Sequence, residues 1–354
     1  MCEPKNEDEM KLITPILFLL FVIAACKSVE RNLDVQQQIV EESDFTIAFG
    51  SCNKAEFSNV LWDDILKTSP DVWIWGGDIV YADTDNMTKL KEAYATQNNV
   101  EGYKVLKSSV PVIGTWDDHD YGVNDGGVEF KAKKGSQQQF LDFMGVSKTS
   151  TRRQQEGVYA VHDYDTPKGS VKILVLDTRY FRTALTKDTE TNKRNKPNVY
   201  GEGTVLGEVQ WEWLENELNT SKADFNILVS SIQVLSYEHG FETWGNFPHE
   251  VDKLKKMIAS SKAKGVAIIS GDRHISEFSK TNIESVSYPL IDFTSSGLTH
   301  VYADFTSEEN KYRVGEVVPV ISFGTLSFDF EVNKITYKIV GDNSEVLGSL
   351  EQAY

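Results

Sequence analysis

The sequence predicts an α/β fold made of two packed mixed β-sheets flanked by helices. Three observations predict it. Apolar strand-like runs alternate with stretches of helical spacing between residues 45 and 270, the pattern then turns all-β, and five apolar runs close on polar clusters. The clusters read FGSCNK at 49–54, GGDIVYAD at 76–83, GTWDDHDYGVND at 114–125, VSSIQV at 229–234 and SGDRHISEF at 270–278. In α/β sheets the carboxyl ends of the strands share one edge, and ligands bind there. One such cluster means little; several in series point to a site that binds cations and performs hydrolysis.

The elements follow in order. Residues 45–50 form a β run, and 56–67 carry Phe57, Val60, Leu61, Ile65 and Leu66 at helical spacing. Residues 71–75 and 110–116 are strands, with a mostly helical stretch at 86–107 between them and a helix at 131–144 after them. Strands are predicted at 157–163, 171–177, 225–232 and 265–270, and helices at 206–218 and 248–260. The tail reads as strands at 285–294, 317–323 and 327–332, with a hairpin turning at Asn333-Lys334 into a strand at 335–340. The polar stretch 182–203 is read as a surface insertion near the site.

With 354 residues, the chain holds one large domain or two modest ones. Its 40% apolar and 25% charged residues place it among globular chains. A net charge of −17 argues against non-specific nucleic-acid binding, which needs a basic surface. An acidic protein that processes an anionic ester needs local positive charge, and bound metal ions are the simplest supply.

The first nine residues are acidic and unlike a signal start. From Met10 the chain reads MKLITPILFLLFVIAAC: a basic Lys11, an apolar core, then small residues and Cys26. This resembles a bacterial lipoprotein signal, with the true start at Met10, lipid on Cys26 after cleavage and residues 27–43 as a polar tether. An ordinary secretory leader or a short anchor is the alternative. The expectation is an exported, membrane-anchored lipoprotein, periplasmic or at the cell surface. Cys2 and Cys26 fall in the leader, so Cys52 is the lone cysteine of the mature domain and forms no internal disulfide.

Metal-ligand residue types gather in the clusters. Cys52, Asp78, Tyr81 and His274 make a mixed hard and soft set, which suits a redox metal such as ferric iron. Asp78 shared with Asp118 and Asp272 makes an all-oxygen set, which suits calcium, magnesium or manganese. His119 stands among carboxylates, which favour its protonated form and suit a general acid; Asp117 and Asp120 are expected to orient it. Arg179 follows a strand and is read either as a bidentate phosphate contact or as the partner of Asp177. Trp244, Phe247, Tyr237 and Tyr121 either line a leaving-group pocket or pack in the core. Asn124 and Asp125 either line the pocket or form turns. His162, His239, His249 and His300 are read as loop or surface residues. Each ligand candidate also has a plain structural reading: a turn-forming Asp78, a packed Tyr81, an Asp272–Arg273 surface pair.

The order GSC at 50–52, GDIVYAD at 77–83, TWDDHD at 115–120, LDTR at 176–179 and GDRH at 271–274 resembles the PhoD-like alkaline phosphatases, a branch of the calcineurin-like metallophosphoesterases. The resemblance covers roughly residues 45–300 and makes 44–354 a metallophosphatase domain. It implies a four-layer αββα sandwich and phosphoester hydrolysis by a metal-activated hydroxide. It also implies iron held by Cys52, Asp78, Tyr81 and His274, and calcium held by Asp78, Asp118 and Asp272, with His119 catalytic and Arg179 on phosphate. Manganese, magnesium or zinc are alternative occupants. The expected substrate is a small phosphoester or a phospholipid. Three departures stand out: little sequence precedes Phe45 where the family has an N-terminal β-domain, no twin-arginine leader is present, and His249-Glu250 replaces a Glu-Arg pair. Without a twin-arginine leader, export in the unfolded state and metal loading outside are expected. Two readings lie outside this class: a cysteine hydrolase with Cys52 as nucleophile, and a surface-attached binding module.

Overall fold

The computed structural model describes residues 43–354. The leader expectations and nearly all of the tether therefore lie outside the described residues. In chain order the first half runs β1 (Phe45–Gly50), α1 (Trp62–Lys67), β2 (Val72–Gly76), α2 (Met87–Asn98), α3 (Glu101–Ser109), β3 (Val112–Thr115), α4 (Asp118–Tyr121), α5 (Lys133–Phe143), β4 (Ala160–Asp165) and β5 (Ser170–Val175). The second half runs β6 (Thr186–Lys187), β7 (Asn195–Lys196), α6 (Gly207–Thr220), β8 (Phe225–Val229), α7 (Pro248–Ser260), β9 (Val266–Ser270), β10 (Ser276–Thr281), β11 (Leu290–Ser295), β12 (Arg313–Val318), β13 (Phe323–Asp329), β14 (Lys334–Val340) and β15 (Val346–Ala353).

Two mixed sheets result. One has six strands in the order β15-β14-β13-β1-β2-β3, and the other has seven in the order β12-β10-β11-β9-β8-β5-β4. The central strands carry large apolar side chains on both faces, which is why they read as continuous apolar runs. Phe45, Ile47 and Phe49 of β1 and Val72 and Ile74 of β2 meet Ile173, Val175, Ile227, Val229 and Ile269 of the second sheet in one core. The opposite face of β1 and β2, through Ala48, Trp73 and Trp75, packs on Trp62, Leu90, Tyr94, Tyr103 and Leu106 of α1, α2 and α3. Leu174, Leu228 and Ile268 pack on Trp211, Leu214 and Leu218 of α6 and Val251 and Leu254 of α7. Three apolar interfaces make four layers, helix–sheet–sheet–helix, as expected. Each such buried side chain contributes about 1.5–3 kcal/mol.

The differences from the sequence reading have local causes. Helix α1 starts only at Trp62, because the Asn59 side-chain amide bonds the carbonyls of Lys54, Ala55 and Phe57 and holds that stretch as a loop. The long helical stretch is broken at Val100, which is extended (ψ 122°) and restarts the chain as α3. The expected strand at 317–323 is not one strand. Pro319 lacks a backbone donor, β12 stops at Val318 in one sheet, and β13 begins at Phe323 in the other. Strand β10 was hidden by its polar content, with Ser276, Glu277 and Ser279 all buried. Strand β15 lacks a clear apolar alternation, with Gly348 and Ser349 interrupting its Val, Leu and Ala residues and no residue fully buried. The hairpin at Asn333 is present, with Asn333 left-handed (φ 49°).

Parallel pairing aligns the strand ends. Gly50 sits opposite Trp75, and Gly76 opposite Thr115, so β1, β2 and β3 release their chains at one edge. Gly114 allows this close pairing: its φ is +151°, and a Cβ there would lie 2.4 Å from the Trp75 carbonyl oxygen. Gly114→Ala is expected to destabilise the fold by about 2 kcal/mol. A lowered urea midpoint with an unchanged slope checks this.

Candidate metal and catalytic site

The turns after β1, β2, β3 and β9 carry Cys52, Asp78, Asp118 with His119, and Asp272 with His274. Four of these residues, Cys52 (φ 57°), Asp78 (φ 49°), Asp272 (φ 70°) and His274 (φ 54°), are held in the left-handed region. Such non-glycine backbone costs of order 1–3 kcal/mol each and clusters at functional sites. Gly77, before Asp78, has φ +100°, and a Cβ there would lie 2.6 Å from the Asp117 Cβ. Only glycine lets the end of β2 pass beneath Asp117.

Asp78 stands at the centre. Its Oδ2 lies 3.5 Å from Cys52 Sγ and 3.2 Å from Tyr81 Oη, and Tyr81 Oη lies 2.9 Å from His274 Nε2. Its Oδ1 accepts from the His119 backbone N–H at 3.3 Å. Ser296 Oγ sits 3.0 Å from Cys52 Sγ and accepts from the His274 N–H at 2.8 Å, tying two turns together. Ligand atoms of Cys52, Asp78 and His274 lie within 4.8 Å of one another, and so do those of Asp78, Asp117, Asp118 and Asp272. The structure therefore brings together all six predicted ligands around one shared carboxylate.

The charge balance calls for cations. Among the described residues, no Lys or Arg forms an ion pair with Asp78, Asp118 or Asp272; within that carboxylate group only Asp117 is paired, with Arg179. Asp118 Oδ1 and Asp117 Oδ2 are buried with no hydrogen-bond partner. Buried carboxylates are normally paired or bound to metal, so the residues present fit a pair of cations. Burial, then the charges of Cys52 and Asp118, pushes the Asp78 carboxyl well above the usual carboxylate range. Burial and the Asp118 charge push Asp272 up to about 7. Asp118 is the exception: burial raises it, but Arg179 and His119 outweigh burial and hold it low. Burial pushes the Cys52 thiol up to about 12. That thiol is fully buried and has no histidine among its hydrogen-bond partners, which removes the cysteine-nucleophile reading.

His119 is oriented by a residue not singled out from sequence. Its Nδ1 meets both carboxylate oxygens of Asp83, at 2.8 and 2.9 Å. Burial lowers its pKa, but the Asp83 bond and the Asp118 charge more than offset this, and the net shift is upward. The expected orienting residues act elsewhere. Asp117 binds Arg179, and Asp120 accepts from the backbone N–H groups of Asp117 and Ile79. The signal for Asp83 was its place at the end of GDIVYAD, two residues beyond Tyr81.

Arg179 is fully buried. Its Nε donates to Asp117 Oδ1 at 2.5 Å and its Nη1 to Glu242 Oε2 at 2.5 Å. Asp177 instead accepts from the Arg179 backbone N–H at 2.9 Å, so the guanidinium is not the partner of Asp177 that the sequence offered as one reading. Its Nη2 is buried without a hydrogen-bond partner, so one donor of the guanidinium is left over. Asp125 is drawn in from the neighbouring loop: its N–H donates to Asp118 Oδ2 at 2.6 Å, and its carboxylate pairs with Arg194 and Lys187 of the 182–203 insertion. Trp244, Phe247 and Tyr121 are core residues. Glu250 is buried, accepting from Val205 N–H and Trp211 Nε1 at 2.7 and 2.8 Å, so it fastens α7 to the start of α6. His300, read as a loop or surface residue, is only partly exposed and meets His274 edge to face, with ring centroids 4.6 Å apart.

An αββα sandwich with an acidic strand edge defines the fold class of the metallophosphoesterases. A family model described as PhoD-like phosphatase matches residues 47–314, and the chain belongs to that family. Alkaline phosphatase D of Bacillus subtilis (strain 168) is 22% identical over 281 residues, which cover 68% of this chain and 47% of that protein. The chain thus spans about half the length of this curated relative. The solved structure of PhoD superposes with a TM-score of 0.69 at 17% identity, covering 88% of this chain and 68% of that one. A dimetal phosphatase from Danio rerio superposes with a TM-score of 0.53 at 13% identity, covering 88% and 99%. At these identities the two structures show a shared fold.

The acidic edge sets a pH signature for the metal-free protein. Asp272 and Asp120 hold protons up to about 7 in the native state, whereas the unfolded chain releases them near 3.8. The native state then binds more protons between those values, so their stabilising contribution is complete at low pH and is lost as pH rises through about 7. The melting temperature of chelated protein is expected to carry this downward component between about pH 4 and about pH 7, and a divalent cation to remove it. An identical pH profile with and without cation would contradict the assignment.

Proposed function

We propose that this chain is a metal-dependent phosphoester hydrolase, an alkaline-phosphatase-D-like phosphomonoesterase or phosphodiesterase. The observation that carries the reading is Asp78, placed between a thiol–phenol–imidazole set and an all-carboxylate set. Cys52, Asp78, Tyr81 and His274 would hold iron, for which the soft and phenolic donors are suited. Asp78, Asp118 and Asp272 would hold calcium, with manganese, magnesium or zinc as alternatives. When bound, the cations supply Lewis-acid stabilisation of phosphoryl charge and lower the pKa of a water molecule.

The chain's own residues do the rest. Asp83 fixes Nδ1 of His119 and leaves Nε2 to face the site. A protonated imidazole there donates to the departing ester oxygen. Arg179 acts through its neighbours: it neutralises Asp117 and keeps Asp118 ionised, ready to bind a cation. Arg182 links the loops of Asp125 and Glu242 at that end of the site, donating to the Asp125 carbonyl and pairing with the Glu242 carboxylate.

We further infer export, with lipid attachment at Cys26. The support is the apolar segment from Met10 and its small-residue ending. Among the described residues, no helix is long and apolar enough to cross a membrane. Cys26→Ser is expected to move the protein from the membrane fraction to the soluble fraction; an unchanged distribution would rule the anchor out.

Elemental analysis alongside assays on p-nitrophenyl mono- and diesters tests the main reading. Asp78→Asn is expected to lose both metal and turnover. His119→Ala is expected to retain metal while kcat falls by about 100-fold or more. Full activity in metal-free protein would overturn the proposal.

A further inference from the structure

We propose that Lys54, with Phe57 and His300, forms an anion subsite beside the metal-binding residues, so that the preferred substrate is a phosphoester whose alcohol part carries a second anionic group. This inference rests on the hydrolase reading above.

The backbone around Lys54 is pinned to the site. The buried Asn53 donates its N–H to Asp78 O at 2.9 Å and its amide to Ile79 O at 3.0 Å. The Lys54 N–H donates to Thr299 Oγ1 at 2.8 Å. From there the ammonium lies over the Tyr81 ring, 4.5 Å from its centroid, and 5.3 Å from the Phe57 centroid. Tyr81 Oη is itself 3.2 Å from Asp78. The cation is thus one aromatic ring away from the proposed reaction centre, on a partly aromatic shelf.

Lys54 differs from the other cations around the acidic edge. Arg179 and Arg182 pair with Glu242, Lys187 and Arg194 with Asp125, and Arg273 with Glu308. Lys54 has no carboxylate partner among the described residues, in a chain of net charge −17. An unpaired ammonium beside so many acids is a place for an external anion.

His300 adds a second donor. Its ring stands 4.9 Å from Tyr81 and 5.8 Å from Phe57. Thr299 Oγ1 accepts from Lys54, so its own hydroxyl proton is free to donate to His300 Nδ1, 3.2 Å away. That tautomer puts the ring proton on Nε2, a buried nitrogen with no partner. A small turn of this ring would bring its N–H to an anion held by the ammonium and give it the partner it lacks. The short span to Asp78 limits the second anion to a few bonds from the reacting phosphorus. A carboxylate or a second phosphate both meet the requirement.

The test uses the full metal-loaded protein and three alkyl esters: glycerol 3-phosphate, 3-phosphoglycerate and 1,3-propanediol bisphosphate. The measured quantity is kcat/KM for each doubly functional ester relative to glycerol 3-phosphate. Wild type is expected to favour at least one of the two. Lys54→Ala should lower that ratio about tenfold, within the range of a charge-assisted contact. Lys54→Arg should retain most of it, and Lys54→Glu should reverse it. A preference confined to the bisphosphate assigns the subsite to phosphate, and an equal preference assigns it to anions generally. A ratio unchanged in a Lys54→Ala protein that melts like wild type overturns the subsite, as does a wild type without preference. Failure of wild type to hydrolyse any of the three, or p-nitrophenyl esters, would instead overturn the hydrolase reading and this inference with it.

Discussion

Mutual repulsion among buried carboxylates is the constraint on which this molecule turns. Asp78, Asp117, Asp118 and Asp272 offer oxygens within 4.8 Å of one another, and Arg179 compensates only part of that charge. No arrangement of apolar packing removes this cost; only protons or cations do. The fold tolerates it because the rest of the sandwich is tightly packed. Three continuous apolar interfaces hold the sheet edges rigid while the turns at those edges carry strained backbone.

The strain and the repulsion act together. Left-handed residues at Cys52, Asp78, Asp272 and His274 bring side chains from three different turns into one volume. Ser296 and Asn53 fasten those turns to one another, so the ligand atoms are placed before any cation arrives. Such preorganisation reduces what binding must spend on ordering side chains. It also explains why the pairings of Arg179, Arg182 and Glu242 are buried: they anchor the carboxylate end from below.

Much of this was legible in the sequence. Central strands with apolar residues on both faces announced themselves, and the polar clusters marked their carboxyl ends. All six ligand candidates converge as their strand context implied. What stayed hidden depended on contacts distant in sequence or on polar residues that become buried. Asp83 gained its role only because β2 and β3 are adjacent, which puts His119 beside it. Glu242 sits in a loop without a motif, and its partners lie far away along the chain. Strand β10 looked like part of a site loop because its buried side chains are polar. The apolar run around Pro319 looked like one strand although it changes sheets there. His300 looked like an isolated loop residue until the fold laid it against His274.

The pairing of β1 with β13 has a further bearing on assembly. Phe45 at the start of the described chain lies opposite Phe328 near its end. The first sheet is therefore incomplete until β13 has been made, and closing so long a loop is intrinsically slow. The turn holding Cys52 hangs from β1, so the placement of its thiol depends on that closure as well as on the pairing with β2.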